Sequence, residues 1–180
     1  MKRERVKTVI NHVRADMTPY NIILTEKELE KVSDYISIDG KDFHDWAGNH
    51  IDIKVFNHYG AYIRPDYFQD EFGVVWNRTI DKDIGNIDNY VIKGTDIKSY
   101  QFPEPDEARI RQLAEELVNN GRDTFKLGEI SFSLFERAWT LTGMENLFCH
   151  FLLEPAFVEE LFDKILQYNI RIIDIVKEYD

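Results

Sequence analysis

A single cysteine, five prolines and nine glycines in 180 residues exclude several kinds of construction at once. Cys149 has no internal partner, so no disulfide staples the chain, and a reducing cytoplasm is the expected compartment. Basic residues are also scarce. Lys and Arg number 22 against 33 Asp and Glu, giving a net charge of -11. That leaves no basic stripe to displace phosphate counterions, which argues against nucleic acid as a partner. The acidic excess reads as a solubility device. No apolar run approaches the ~20 residues of a membrane-spanning helix. The N-terminal stretch MKRERVKTVINHV is charged and amphipathic and lacks the apolar centre of a secretory signal. Repeats, low-complexity tracts, a Gly-rich phosphate loop and a GxSxG elbow are all missing.

What is present is material for a core. Hydrophobic residues make up 43% of the chain, including twelve Phe, nine Tyr and three Trp, and the length suits one domain over residues 1–180. Trp46, Trp76 and Trp139 read most simply as core residues, and Cys149 as a core thiol.

Periodicity and punctuation place the elements. Val6, Val9, Ile10 and Val13 mark one face of a first helix. Met17–Leu24 contains Pro19 and then an apolar run, which reads as a short strand. Thr25 and Glu28 form a capping box that opens a helix through about Ile36, and Asp39-Gly40 is a turn. Phe43–Ile53 reads as a short helix leading into an extended segment. Ala61–Arg78 reads as two strands around a Gln-Asp-Glu turn, and Asp81–Tyr100 as a loop with one strand at Tyr90–Ile92. After Pro103 and Pro105, a helix carries Ile110, Leu113, Ala114, Leu117 and Val118 on one face. Asn119-Asn120-Gly121 closes it with a left-handed cap.

The last third is the most regular. Thr124–Ile130 is the clearest strand, and Leu134–Leu141 turns helical. Glu154-Pro155 then opens the longest helix, with proline in its first turn. The apolar stripe from Val158 through Ile165 and Ile172 to Val176 keeps a helical period to the end. About 22 residues at 1.5 Å rise make that helix roughly 33 Å long. Helix, strand and helix in this order predict an α/β class.

His44, His50 and His58 lie near Asp45 and Asp52, but their spacing fits no HxxxH or CxxC framework. They read as solvated or hydrogen-bonded histidines, and no metal is assigned. Cys149 and His150 are sequence neighbours, so on a helix they diverge by about 100° and cannot easily share one ion. Glu129 and Ser131 end the clearest strand. They either meet a substrate or form a polar turn capping the next helix. Arg64 and Asp66 follow the apolar Ala61–Ile63 and either serve a site or bridge one another.

Four segments, in order, carry a resemblance: RERVKTVINH near the start, a Pro-led strand at Pro19, Asp70-Glu-Phe-Gly-Val-Val-Trp76, and FERAWTLTGMENLFCHFLLEPAFVEELFDKI. Together they resemble the uroporphyrinogen decarboxylase superfamily, in its methyltransferase-like branch of cobalamin-dependent and coenzyme M methyltransferases. The resemblance covers most of the chain loosely and implies the N-terminal half of a TIM-barrel-like (β/α)8 fold, incomplete here, since a barrel closes on eight strands over about 250 residues. Such a half implies a truncated form, or pairing with a missing C-terminal half or with a second copy as a homodimer, and no turnover by the 180 residues alone.

Taken residue by residue, the decarboxylase pattern is only partly met. Its arginine-rich grip on substrate carboxylates has no counterpart in PYNIILTEKE. Asp66 matches the aspartate that polarises pyrrole nitrogens and is the candidate catalytic residue. Trp139 stands where the family keeps tyrosine. Arg64, Glu129, Ser131 and Trp139 are the candidate substrate-binding residues. The departures favour methyl transfer to or from a corrinoid carrier over decarboxylation in tetrapyrrole biosynthesis, with a non-catalytic binding module as a third alternative. The substrate is then a small molecule or a corrinoid protein. The resemblance implies no cofactor in this chain, and zinc and a corrinoid for the full-length parent, the zinc activating a thiol.

Overall fold

A computed structural model describes residues 1–179. Helices α1 (Lys2–Ile10), α2 (Glu26–Ile36) and α3 (Phe43–Trp46) come first, followed by strands β1 (Ile51–Val55), β2 (Gly60–Arg64), β3 (Tyr67–Asp70), β4 (Val75–Asn77) and β5 (Asn86–Ile87). Helix α4 (Glu107–Val118) and strand β6 (Phe125–Glu129) precede the helices α5 (Leu134–Thr142), α6 (Met144–Leu153) and α7 (Pro155–Val176). The chain divides into two compact units. One holds Met1–Lys54 with Glu115–Gly128, and the other Val55–Ala114 with the chain from Glu129 onward. No helix among the described residues is long and apolar enough to cross a membrane.

The class is mixed α/β. Strands β1 and β6 form a two-stranded sheet. Phe125 N–H donates to His50 O at 2.8 Å and Phe56 N–H to Glu129 O at 3.0 Å. Partners therefore advance together along both strands, so the pair is parallel. Strands β2 to β5 form a separate sheet in sequence order, with antiparallel pairing throughout. That meander differs from an alternation of parallel strands and helices.

In the first unit, Thr25 caps α2 as expected, its hydroxyl accepting from Glu28 N–H at 3.4 Å. The Glu28 carboxylate turns outward to Lys31 at 2.7 Å rather than closing the box. Met17–Leu24 forms no strand. Its backbone bonds go to a side chain and a loop instead: Asn49 both donates to Ile22 O and accepts from Ile22 N–H, and His50 N–H donates to Tyr20 O. An extended apolar segment satisfied this way needs no ladder. Trp46, expected in the core, is 58% exposed.

In the second unit, Ala61–Arg78 holds three strands rather than two. A tight turn at Pro65-Asp66 separates β2 from β3, and Glu71–Val74 separates β3 from β4. The register places Gly60 opposite Asp70 and Phe68 opposite Trp76. A Cβ on Gly60 would lie 1.9 Å from Gln69 O, so only glycine allows this approach. Tyr90–Ile92 is not a strand. Ile92 is buried and donates its N–H to Leu141 O at 3.0 Å.

The helices pack through Ala138, Leu141, Leu147, Leu161, Ile165 and Ile172, all essentially inaccessible. After β6 the sequence predicts a helix at Leu134–Leu141, and the structure continues helical to Leu153. Gly143 divides this stretch into α5 and α6 by taking φ +91, with the Tyr90 ring 3.3 Å from where a Cβ would lie. Pro155 opens α7 as expected and the helix runs 22 residues. Cys149 is exposed on α6 rather than buried.

Candidate functional site

The polar centre of the second unit is built from two segments far apart in sequence. Asp70 ends β3, with its side chain fully buried, and Arg137 sits on the buried face of α5 with 1% of its side chain exposed. Arg137 Nη1 donates to Asp70 Oδ2 at 2.7 Å. Trp76 Nε1 donates to the same oxygen at 3.0 Å, while Phe72 N–H and Val74 N–H both donate to Oδ1 at 3.0 Å. Four donors thus fill the carboxylate, as burial of a charge requires. The Arg137 guanidinium also stacks over Phe72 at 4.2 Å.

Glu71 and His58 complete the cluster. Glu71 Oε1 accepts from His58 N–H at 2.8 Å and lies 3.8 Å from Arg137 Nη2. His58 is held at φ +57 with its ring against Phe132, Trp76 and Phe68. Burial pushes the Glu71 carboxyl up from its ordinary value, against the pull of Arg137. Burial pushes His58 down to about 4, with nearby Arg137 and Arg78 adding to the effect against Asp70. Burial thus favours the uncharged form of both side chains. Asp70, Glu71 and Arg137 offer almost no surface to a substrate, so the cluster serves the fold before any chemistry.

His58, Asp70 and Glu71 are also the only group of metal-capable side chains found among the described residues, their ligand atoms lying within 4.8 Å of one another. The donor chemistry does not fit a thiol-activating zinc. Both Asp70 oxygens are already taken, a guanidinium stands at the site, and no cysteine takes part.

The candidate residues from sequence are all in this same unit, and most stay apart. Arg64, on an exposed strand, stacks over Tyr67 at 3.7 Å and approaches Asp88 at 3.6 Å. Asp66 occupies the hairpin turn at φ +62 and pairs with Lys82 at 2.7 Å. The expected Arg64–Asp66 bridge is therefore replaced by two separate pairs. Trp139 is half-buried on α5. Glu129 and Ser131 do meet: Ser131 Oγ donates to Glu129 Oε1 at 3.2 Å. Ser131 N–H donates to Asn57 Oδ1 at 2.8 Å, and Asn57 Nδ2 returns a bond to Ser131 O. Asn57 follows β1 and Ser131 follows β6, so this amide clamps the C-terminal ends of two parallel strands.

The three histidines do not gather. His44 Nε2 lies 3.0 Å from an oxygen of Asp52, His50 packs edge-on to Tyr20 at 4.8 Å, and His58 belongs to the other unit. Asp52 is nearly buried. Burial alone would raise its carboxyl, but hydrogen bonds from Lys126, Thr124 and Asn120 outweigh that and hold it near 2.

Arg137 was not singled out from sequence, although a signal existed. It lies one turn before Leu141 on a helix whose inward positions are otherwise small or apolar. An arginine there requires a buried carboxylate.

The fold and these sites define a mixed α/β protein with a parallel strand pair, an antiparallel meander and a sealed Asp–Arg centre. No protein-family model matches the chain, and comparison with curated proteins and with solved structures likewise finds no match.

Proposed function

We propose that this chain is a uroporphyrinogen decarboxylase-like superfamily protein of TIM-barrel type, and that it serves methyl transfer to or from a corrinoid carrier. The observation that carries this reading is the meeting of two segments on which the resemblance rests. Asp70 and Trp76 of the first are joined to Arg137 of the second through one buried carboxylate oxygen.

Glu129 and Ser131 are the residues proposed to meet the substrate. They stand where the parallel strands β1 and β6 end, and in barrels the C-terminal strand ends form the active face. Decarboxylation would need Asp66 to face pyrrole nitrogens, but its carboxylate is engaged by Lys82. A binding module is the second reading, favoured by one observation: Asp70, Glu71 and Arg137 are almost wholly buried and present no reactive group to a substrate.

Titration of the purified chain with a methylcobalamin-loaded corrinoid protein tests the proposal. Saturable binding is expected, weakened about fivefold or more by Glu129→Gln or Ser131→Ala and unchanged by Asp66→Asn. Binding of uroporphyrinogen that depends on Asp66 would favour decarboxylation instead. Failure to bind either ligand would overturn the proposal.

A further inference from the structure

Helix α7 carries an apolar stripe on its exposed side, with one charge near its start and another on Lys177, in the 3-10 turn that continues it. Glu159, Phe162, Leu166, Ile170, Ile173 and Lys177 follow one another at helical spacing and lie within about 40° of a common line along the helix. Leu166, Ile170 and Ile173 remain 38–46% exposed although the opposite side of α7 is packed to completion. The stripe also continues sideways. Phe162 meets Phe151 of α6 edge to face at 6.0 Å, and α6 adds Phe148 and the 86% exposed Leu152 on its outer side.

The order of the stripe is nearly palindromic about position 168. Reversing the helix places Leu166 against Ile170, Phe162 within one residue of Ile173, and Glu159 against Lys177. A two-fold axis crossing α7 at that level would therefore oppose apolar side chains to apolar side chains and an acid to a base at both ends. Self-complementarity of one patch is what an isologous interface requires. Among the described residues neither Glu159 nor Lys177 has a hydrogen-bonding or ionic partner, whereas Arg171 on another side of the helix and Glu178 just beyond it are engaged by Glu107 and Arg111.

We propose that the α6–α7 face is the interface of a two-fold homodimer, in which α7 lies antiparallel to α7 of a second copy. Leu166, Ile170 and Ile173 of α7 join Phe148 and Leu152 of α6 in an apolar face whose side chains are 38–86% exposed. A contiguous exposed apolar face of this kind marks an interaction surface. The end charges select the antiparallel arrangement, since a parallel one would set Glu159 against Glu159 and Lys177 against Lys177.

Sedimentation equilibrium of the full chain across about 0.5–50 μM, a range that brackets common dimer affinities, tests the proposal. Wild type should be dimeric at about 10 μM. Leu166→Glu combined with Ile170→Glu should make it monomeric while the circular dichroism spectrum stays unchanged. Glu159→Lys and Lys177→Glu should each weaken the dimer about fivefold or more, because every reversal creates two like-charge contacts. The double reversal should restore it to within about threefold, and neither end residue is buried, so folding is not at stake. A wild-type monomer at the highest concentration overturns the proposal. A dimer indifferent to Leu166 and Ile170 overturns the choice of face, and failure of the double reversal to restore it overturns the antiparallel register.

Discussion

Replacing Arg137 by methionine tests whether the Asp70–Arg137 contact holds the second unit together. Methionine keeps much of the aliphatic stem and removes the guanidinium. Asp70 then loses the 2.7 Å bond from Nη1 but keeps three donors, Phe72 N–H, Val74 N–H and Trp76 Nε1, each at 3.0 Å. Breaking a buried pair by removing one partner costs about 3–5 kcal/mol. The surviving donors place this case at the lower end, about 3 kcal/mol, which corresponds to a fall in Tm of roughly 6–12 °C for a chain of this size. Urea unfolding followed by far-ultraviolet circular dichroism measures the change, and a shifted midpoint at constant slope marks a true stability loss. Asp70→Asn supplies the second corner of a double-mutant cycle, and the pair should couple by about 2 kcal/mol or more. A loss below about 1 kcal/mol for Arg137→Met, or a coupling near zero, refutes the account and reduces the contact to one hydrogen bond among several.

Three further outcomes follow from the same geometry. Gly60→Ala should destabilise by about 2–4 kcal/mol, because the new methyl would meet the Gln69 carbonyl and part β2 from β3; a thermal melt unchanged within about 2 °C contradicts this. His58 titrates near 6.5 when unfolded and about 4 when folded, so its contribution is present above pH 6.5 and lost as the pH falls toward 4. His58→Gln should flatten the stability profile across that window, by roughly 2 kcal/mol once partial solvent screening is allowed for. Glu71 has the opposite sign: its carboxyl is raised on folding, so its own contribution is present below about pH 4.5 and is lost as the pH rises through the folded value, a loss that Glu71→Gln should abolish.

Where local rules dominate, the residues announced the structure. Pro155 opens α7 because its fixed φ and missing N–H suit a first turn. Gly121, at φ +72, follows α4 as the left-handed cap anticipated after Asn119-Asn120. Thr25 caps α2, and β6 occupies Phe125–Glu129 inside the expected Thr124–Ile130. The places where expectation and structure part are those in which a distant group supplied the bond. Met17–Leu24 has strand composition but is held by Asn49 and His50, and Tyr90–Ile92 is anchored on Leu141. Among site residues, Glu129 and Ser131 could be paired from their spacing, whereas Arg64 and Asp66, two apart, found separate partners in Asp88 and Lys82.

By itself the sequence determined the α/β class, the helices of the last third and the acidic, disulfide-free character of the chain. These follow from composition and from periods shorter than one helical repeat. Tertiary structure alone decided that β2 to β5 form an antiparallel meander, and that Arg137 neutralises Asp70 across 67 residues of chain. The physical reason is that burial of a charge is settled by whichever opposite charge the fold brings within reach, and sequence spacing carries no record of that distance.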